Sequence, residues 1–359
     1  MAYLYKKVEE GIKEQISQGR LFSGAKLPSE KELMETYGVS RQTVRNAIAA
    51  LTEQGILFAA QGKGTFVKDG TAVLNRQHII GFSTISFKSY NLYPQILQEV
   101  NRFTEQAGYS LMLGQTKNTF EAERNCLLNF LEKNVDAVIL DPTHCGMANA
   151  NEDVYRMFED RSKPLIMYSA RHVNETASFV VADDVQGGYL ATKHLLDLGH
   201  RMIGGIFQAD DTRGSDRCQG MIQALCEYKI PVQTNLIDWY SSVRIDHLEE
   251  TDTSTPDPVL LRILHECTAL VVYNDIIAQH VLRMLEDMHL RCPEDISIVS
   301  FDDTELNSGS IELTTIPYPG SRIGTCLGKT VMELLNDPTK KIQKKVPVEL
   351  IVRESTRKL

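Results

Sequence analysis

Two groups of polar residues in this 359-residue chain are spaced for recognition. The first is Arg41, Gln42, Thr43, Arg45 and Asn46, crowded at the start of the run SRQTVRNAIAAL. In a helix opening at Ser40, the apolar Val44, Ala47, Ile48 and Leu51 share one face, which turns the arginines and amides outward at the N-terminal end. Side chains so placed reach base edges in a major groove, where an arginine can hold guanine O6 and N7 with two parallel bonds. The second group lies where unbroken apolar runs stop. Asp141 follows Ile139-Leu140, Arg171 and His172 follow Met167-Tyr168-Ser169-Ala170, Asn274 follows Val272-Tyr273, and Asp302-Asp303 follow Ser300-Phe301. Lys88 and Tyr90 come just after HIIGFSTI, and Arg217 opens a helix. Carboxylates and amides that accept, arginines that donate and a ring that stacks on a C–H face suit a polyhydroxylated ligand.

The first group needs a small scaffold, and the flanking residues predict one. Leu4, Val8, Ile12 and Ile16 make an amphipathic first helix ending near Gly19. Ser29 with Glu32 reads as a capping box that starts a second helix, Gly38 ends it, and Ser40 caps the third. Leu57–Ala60 and Thr65–Val67 then flank Gln61, Gly62, Lys63 and Gly64 as a hairpin with a basic tip. Helix, turn, arginine-bearing helix and hairpin wing read as a winged helix-turn-helix over residues 1–68. A three-helix bundle with solvated arginines is the bland reading; the wing argues against it.

The second group needs a parallel sheet. After an aperiodic linker over 69–78, short apolar runs such as VDAVILDP, PLIMYSA and SFVVADD alternate with helical patterns such as EAERNCLLNFLEKN and GGYLATKHLLDLGH. Unbroken apolar strands between helices predict an α/β architecture of parallel sheets covered on both faces. A second series beginning near residue 183 predicts two doubly wound lobes within 79–359, with ligand at the carboxyl ends of the strands. Asp or Asn at a strand end is, taken singly, more often a loop cap than a ligand group. Trp239, the lone tryptophan, reads as a core strand residue or a pocket wall.

Charge divides the same way. Residues 1–70 carry ten Lys/Arg against eight Asp/Glu, while the remainder carries 28 against 39, so the net −9 divides into +2 for the head and −11 for the body. The head's weak field implies a few placed contacts and a dimer. No run approaches the roughly 18 apolar residues of a membrane span, and the N-terminus is no signal peptide. Seven scattered cysteines without a C-x-x-C pair imply a reduced, cytoplasmic protein with no disulfide framework and no metal. His194 and His200, six apart, suit no metal on one helix face.

The stretch LPSEKELMETYGVSRQTVRNAIAALTEQGILFAAQGKGTFV resembles the winged-helix head of the GntR family of bacterial regulators, over residues 3–68. The resemblance implies that Arg41, Thr43 and Arg45 contact DNA, that Gly62-Lys63-Gly64 enters the minor groove, and that Ser29 and Glu30 lie against the backbone. Gln42 and Gln61 extend that surface; which arginine reads a base stays open. From 79 to 356, ADDVQGGYLATKHLLDLGHRMIGGI, VVYNDIIAQHVLRML, SIVSFDDTE and VPVELIVREST resemble the effector domain of LacI-type repressors and periplasmic sugar-binding proteins. That likeness implies Arg217, Asn274 and Asp302 as hydroxyl ligands, with Asp141 where ribose-type receptors place an asparagine. Ser169 and Tyr318 depart from the Asp and Gln of many relatives. The pairing of head and body resembles the arabinose-utilisation repressors of Gram-positive bacteria. It implies a homodimer on double-stranded operator DNA, a sugar effector, L-arabinose first, and no other cofactor.

Two rivals are weighed against this. No G-x-S-x-G, H-E-x-x-H or P-loop supports an enzyme with catalytic residues. A purine or other metabolite acting as corepressor on the same fold would want an aromatic sandwich, for which Tyr90, Tyr93 and Tyr168 are the candidates.

Overall fold

The computed structural model describes residues 2–17, 21, 24–60, 64–68, 78–86, 92–172, 177–243, 258–307 and 311–359. Gln61, Gly62, Lys63, Lys88, Tyr90 and the linker up to residue 77 lie outside that set. The chain divides into two compact units, Met1–His78 and Ile79–Leu359.

The head forms as its caps dictate. Helix α1 (Ala2–Ser17) is followed by α2 (Glu30–Tyr37), whose cap Ser29 accepts from the Glu32 amide at 3.3 Å while Glu32 accepts from the Ser29 amide at 2.7 Å. Gly38 closes α2 at φ 65°, a left-handed conformation that glycine adopts without strain. Ser40 caps α3 (Arg41–Glu53) through the Thr43 amide. Val8, Ile12, Leu33, Val44, Ala47 and Leu51 interlock as the core, joined by Leu57 and Val67 of the hairpin. That hairpin pairs β1 (Leu57–Ala60) antiparallel with β2 (Gly64–Val67), and Phe58 stacks on Phe66 at 5.7 Å.

In the body, the first lobe runs β3 (Ile79–Thr84), α4 (Leu92–Gln106), β4 (Ser110–Gln115), α5 (Phe120–Glu132), β5 (Ala137–Leu140), α6 (Glu152–Glu159), β6 (Leu165–Ser169) and β7 (Ser178–Ala182). The second runs α7 (Asp184–Asp197), β8 (Ile203–Gln208), α8 (Thr212–Glu227), β9 (Ile237–Tyr240), α9 (Pro258–Glu266), β10 (Ala269–Val272), α10 (Asp275–Asp287), β11 (Ser297–Asp302) and β12 (Thr314–Pro317). The chain then returns to the first lobe as α11 (Gly320–Asn336) and β13 (Gln343–Val346) before its last residues pack on the second. Sheet orders are β13-β7-β6-β5-β3-β4 and β12-β11-β10-β8-β9, and every pairing within them is parallel. His194 and His200 pin the returning C-terminus through the Thr356 hydroxyl at 3.0 Å and the Arg357 carbonyl at 3.1 Å. Among the described residues no helix is long and apolar enough to cross a membrane.

Three details depart from the sequence reading. Trp239 lies on the edge strand β9 and is 43% exposed, so it is a strand residue but no core residue. Strand β4 is also an edge, with Leu113 47% exposed, although its apolar run suggested burial on both faces. Helix α11, which the strand-and-helix alternation did not pick out, carries glycines beside its apolar stripe of Ile323, Leu327, Val331 and Leu334. A Cβ on Gly324 would stand 2.8 Å from the Ile96 carbonyl of α4, so the missing side chain is what lets the two helices touch.

Candidate functional site

On the head, Arg41 and Arg45 extend from the first turns of α3, their side chains 66% and 56% exposed. Both are held by one carboxylate. Glu30, at the start of α2, accepts from Arg41 Nε at 2.6 Å and from Arg45 Nε at 2.9 Å. The hydrogen bond from Arg41, then that from Arg45, lowers the Glu30 pKa below its ordinary value. Gln42 donates to Asn46 at 3.0 Å, and the Thr43 hydroxyl lies 2.9 Å from that of Ser40. Ser29 is occupied as the α2 cap. Gly64 opens β2 at φ 116°, and its Cα lies so near Lys26 that a Cβ would stand 2.8 Å from that side chain. Exposed ion pairs contribute little, so a phosphate or a guanine edge can displace Glu30 from either arginine at small cost.

In the body, loops at the carboxyl ends of the strands bring the two lobes into contact. His144 Nδ1 lies 3.0 Å from the Asp210 carboxylate, and the Gly146 amide donates to the Asp210 carbonyl at 3.1 Å. Arg171 donates to Asp216 at 3.1 Å, and the Thr212 hydroxyl donates to the Arg171 carbonyl at 2.7 Å. On the second lobe, Arg217 is 2% exposed. Its Nε donates to Asp184 at 2.7 Å, Nη1 to the Tyr273 carbonyl, and Nη2 to Asp302 at 3.4 Å. The guanidinium stacks over Phe301 at 4.1 Å and Tyr273 at 4.8 Å. Asp302 adopts φ 88°, a strained value for a residue with a side chain and of the kind that gathers at binding sites. Its neighbour Asp303 diverges and binds Arg353 at 2.7 and 2.9 Å.

Beside Arg217, Arg213 places Nε and Nη2 on Asp211 at 3.0 and 2.6 Å, and the Tyr273 hydroxyl donates to the same carboxylate at 2.9 Å. Burial disfavours the Asp211 charge, but the Arg213 guanidinium overrides it and holds the carboxyl at about 2. From the first lobe the Tyr93 hydroxyl donates to Asp141 at 2.7 Å. Burial pushes Asp141 up to about 7, against the hydrogen bond from Tyr93 and the field of Arg213. Asp211 and the Thr212 amide, just before Arg213, meet the Cys145 thiol of the first lobe at 3.6 and 3.3 Å, which sets Arg213 beside the junction of the lobes. Around these groups, and among the described residues, the buried hydroxyls of Ser83 and Tyr240 have no hydrogen-bond partner. Buried polar atoms are nearly always satisfied, so an ordered water or a ligand belongs there.

Of the residues read from sequence, Asp141, Arg217 and Asp302 border this cleft. Asn274 serves as the cap of α10, accepting from the Ile277 amide at 3.2 Å. Arg171 is committed to Asp216 across the lobes. His172 is set apart: its Nε2 lies 3.2 Å from the Tyr155 hydroxyl, and it borders a separate cavity of about 560 Å³ with Asn149, Lys163 and Ser178. Helix α8 opens at Thr212 rather than near Arg217, because Asp211 caps it through the Arg213 amide at 2.8 Å. That earlier start puts Arg213 in the site, and the Asp211-Thr212 pair was the signal for it.

Residues 4–67 match the model of the gntR family of bacterial regulatory proteins, and 192–356 match the periplasmic binding protein-like domain. The chain is 33% identical over 347 residues to an arabinose metabolism transcriptional repressor of Halalkalibacterium halodurans, covering 94% of this chain and 90% of that one. It is 31% identical to an arabinose metabolism transcriptional repressor of Geobacillus stearothermophilus over 99% of this chain and 98% of that one. In fold, the body is similar to a LacI family transcriptional regulator from Enterococcus faecium solved with bound ribose, with TM-score 0.62, 22% identity and 78% and 99% coverage. The chain therefore belongs to the family of transcriptional repressors that join a GntR-type DNA-binding head to a LacI-like, periplasmic-binding-protein-like body.

Proposed function

We propose that this repressor binds near-palindromic operator DNA as a dimer and is released when an uncharged sugar, L-arabinose first among candidates, occupies the cleft between the lobes. The observation that carries the reading is the charge balance of the cleft. Arg213 faces Asp211, Arg217 faces Asp184 and Asp302, Arg171 faces Asp216 and Asp141 bonds to Tyr93, so that what is left over is hydroxyls and Arg213 Nη1. A neutral polyol can satisfy these without disturbing a pair, whereas an anion would leave charge uncompensated. The arabinose-metabolism names of the two relatives supply the choice of sugar. The purine reading has less support: Tyr93 and Tyr168 meet edge-on, at 87°, and form no sandwich.

Two heads joined by a dimer of bodies would occupy half-sites in successive major grooves. Sugar then need only bind the closed, operator-incompatible arrangement better than the other. A thermal-shift panel of pentoses, hexoses and purines tests the assignment. L-Arabinose should raise Tm in a dose-dependent way, as mass action requires of a ligand of the folded state. A purine that does so while every sugar fails would overturn it.

A further inference from the structure

We infer that Arg213 is a sugar-binding and specificity-determining residue, and that Asp211 holds its guanidinium so that Nη1 is left to the ligand. The inference rests on the sugar-effector reading above. The two arginines of the second lobe differ in what they have left to give. Arg217 spends Nε, Nη1 and Nη2 on Asp184, the Tyr273 carbonyl and Asp302. Arg213 spends Nε and Nη2 on one carboxylate, and among the described residues Nη1 has no protein partner. The side chain is 15% exposed, so Nη1 reaches solvent and is open to an acceptor carried by a ligand.

The position of Arg213 says what that acceptor is. Asp211 and the Thr212 amide, just before it in the chain, meet the Cys145 thiol of the first lobe at 3.6 and 3.3 Å, and its guanidinium lies 5.8 Å from the Tyr273 ring of its own lobe, so its field reaches Asp141 and Tyr93 opposite. Asp211 already neutralises it, so an anion is not required. A hydroxyl with a free lone pair suffices, adjacent to a second hydroxyl that donates to Asp141. Adjacent oxygens of a sugar ring meet both demands and connect the lobes. Asp211 is the positioning residue: it accepts from Tyr273 as well as from Arg213, which fixes the plane of the fork.

A merely structural Arg213, present to balance Asp211, would affect every ligand alike, so the test uses discrimination among sugars. The aldopentose or aldohexose that binds the wild-type protein best, L-arabinose being tried first, is titrated calorimetrically into wild type and Arg213→Gln. Each of its monodeoxy analogues is titrated in parallel. Sites built to hydrogen-bond a hydroxyl reject the analogue lacking it, so Arg213→Gln should weaken the parent sugar about tenfold or more. One deoxy analogue should bind wild type and Arg213→Gln within about a factor of three, because the contact is already gone. Arg213→Lys, which keeps the charge and loses the fork, should fall between, and it carries the same comparison if circular dichroism finds the glutamine variant unfolded. Equal weakening of the parent and all deoxy analogues, or none, overturns the inference and leaves the sugar reading intact. Failure of any sugar to bind wild type overturns that reading, and the inference with it.

Discussion

The head and the cleft both rest on arginine–carboxylate pairs, and they use them in opposite ways. Arg41 and Arg45 share a single carboxylate in the open, while Arg217 is buried between two carboxylates and two rings. An exposed pair is worth little and can be exchanged for another partner. A buried pair loses heavily when one member goes, because the other is left charged and dry. The head is thus arranged to trade its partner for nucleic acid. The cleft keeps its pairs as a fixed frame and, on the reading proposed above, offers hydroxyls and Arg213 Nη1 to a sugar.

The sharpest way to break this comparison is to remove one arginine from each region. Arg217→Met should destabilise the body by about 3–5 kcal/mol, read by urea unfolding, since Asp184 and Asp302 lose their counter-charge. Arg45→Ala should change stability by less than about 1 kcal/mol while costing about 1–3 kcal/mol of operator affinity in a fluorescence anisotropy titration. Equal stability losses in the two variants would erase the distinction.

Acidity sharpens it further. Asp141 has its carboxyl raised to about 7 from an ordinary 3.8, so between those values the folded chain holds a proton that the unfolded chain has released. Its contribution to stability is therefore present below about 4 and lost as pH rises to about 7. Asp211, held near 2, acts in the opposite sense and lower down, adding stability as pH rises from about 2 to the ordinary 3.8. Asp184 and Asp275, both raised to about 6 by burial, tilt the same way as Asp141. Asp141→Asn should flatten, without abolishing, the fall in Tm between pH 4 and 7. An unchanged slope would mean that this carboxyl is not buried as described. Smallest of all, Ser29→Ala should cost about 1 kcal/mol through loss of the α2 cap, seen as faster amide exchange in that helix.

How much was legible in the sequence follows the same division. The head was legible because its signals are local: Ser29 with Glu32, Gly38 and Ser40 each mark a boundary by their own chemistry. What local reasoning did not give was that Glu30 would hold both arginines, since that contact spans 11 and 15 residues. In the body, alternation gave the parallel sheets and their polar ends. Edge position was invisible, which is why Trp239 was misjudged; the apolar stripe of α11 could be read, but not the contact its glycines make with a helix more than two hundred residues earlier. Arg217 was found by likeness to known regulators. Arg213 was missed because the start of α8 was set too late.

The central claim is that one body couples a sugar to DNA, and calorimetric titration of L-arabinose with and without operator DNA tests it most directly. Linkage requires operator to weaken sugar binding by the factor by which sugar weakens operator binding, about fivefold to 150-fold for a coupling of about 1–3 kcal/mol. A sugar affinity weaker by that factor on DNA is the result predicted here. Identical affinity in both titrations would contradict the account.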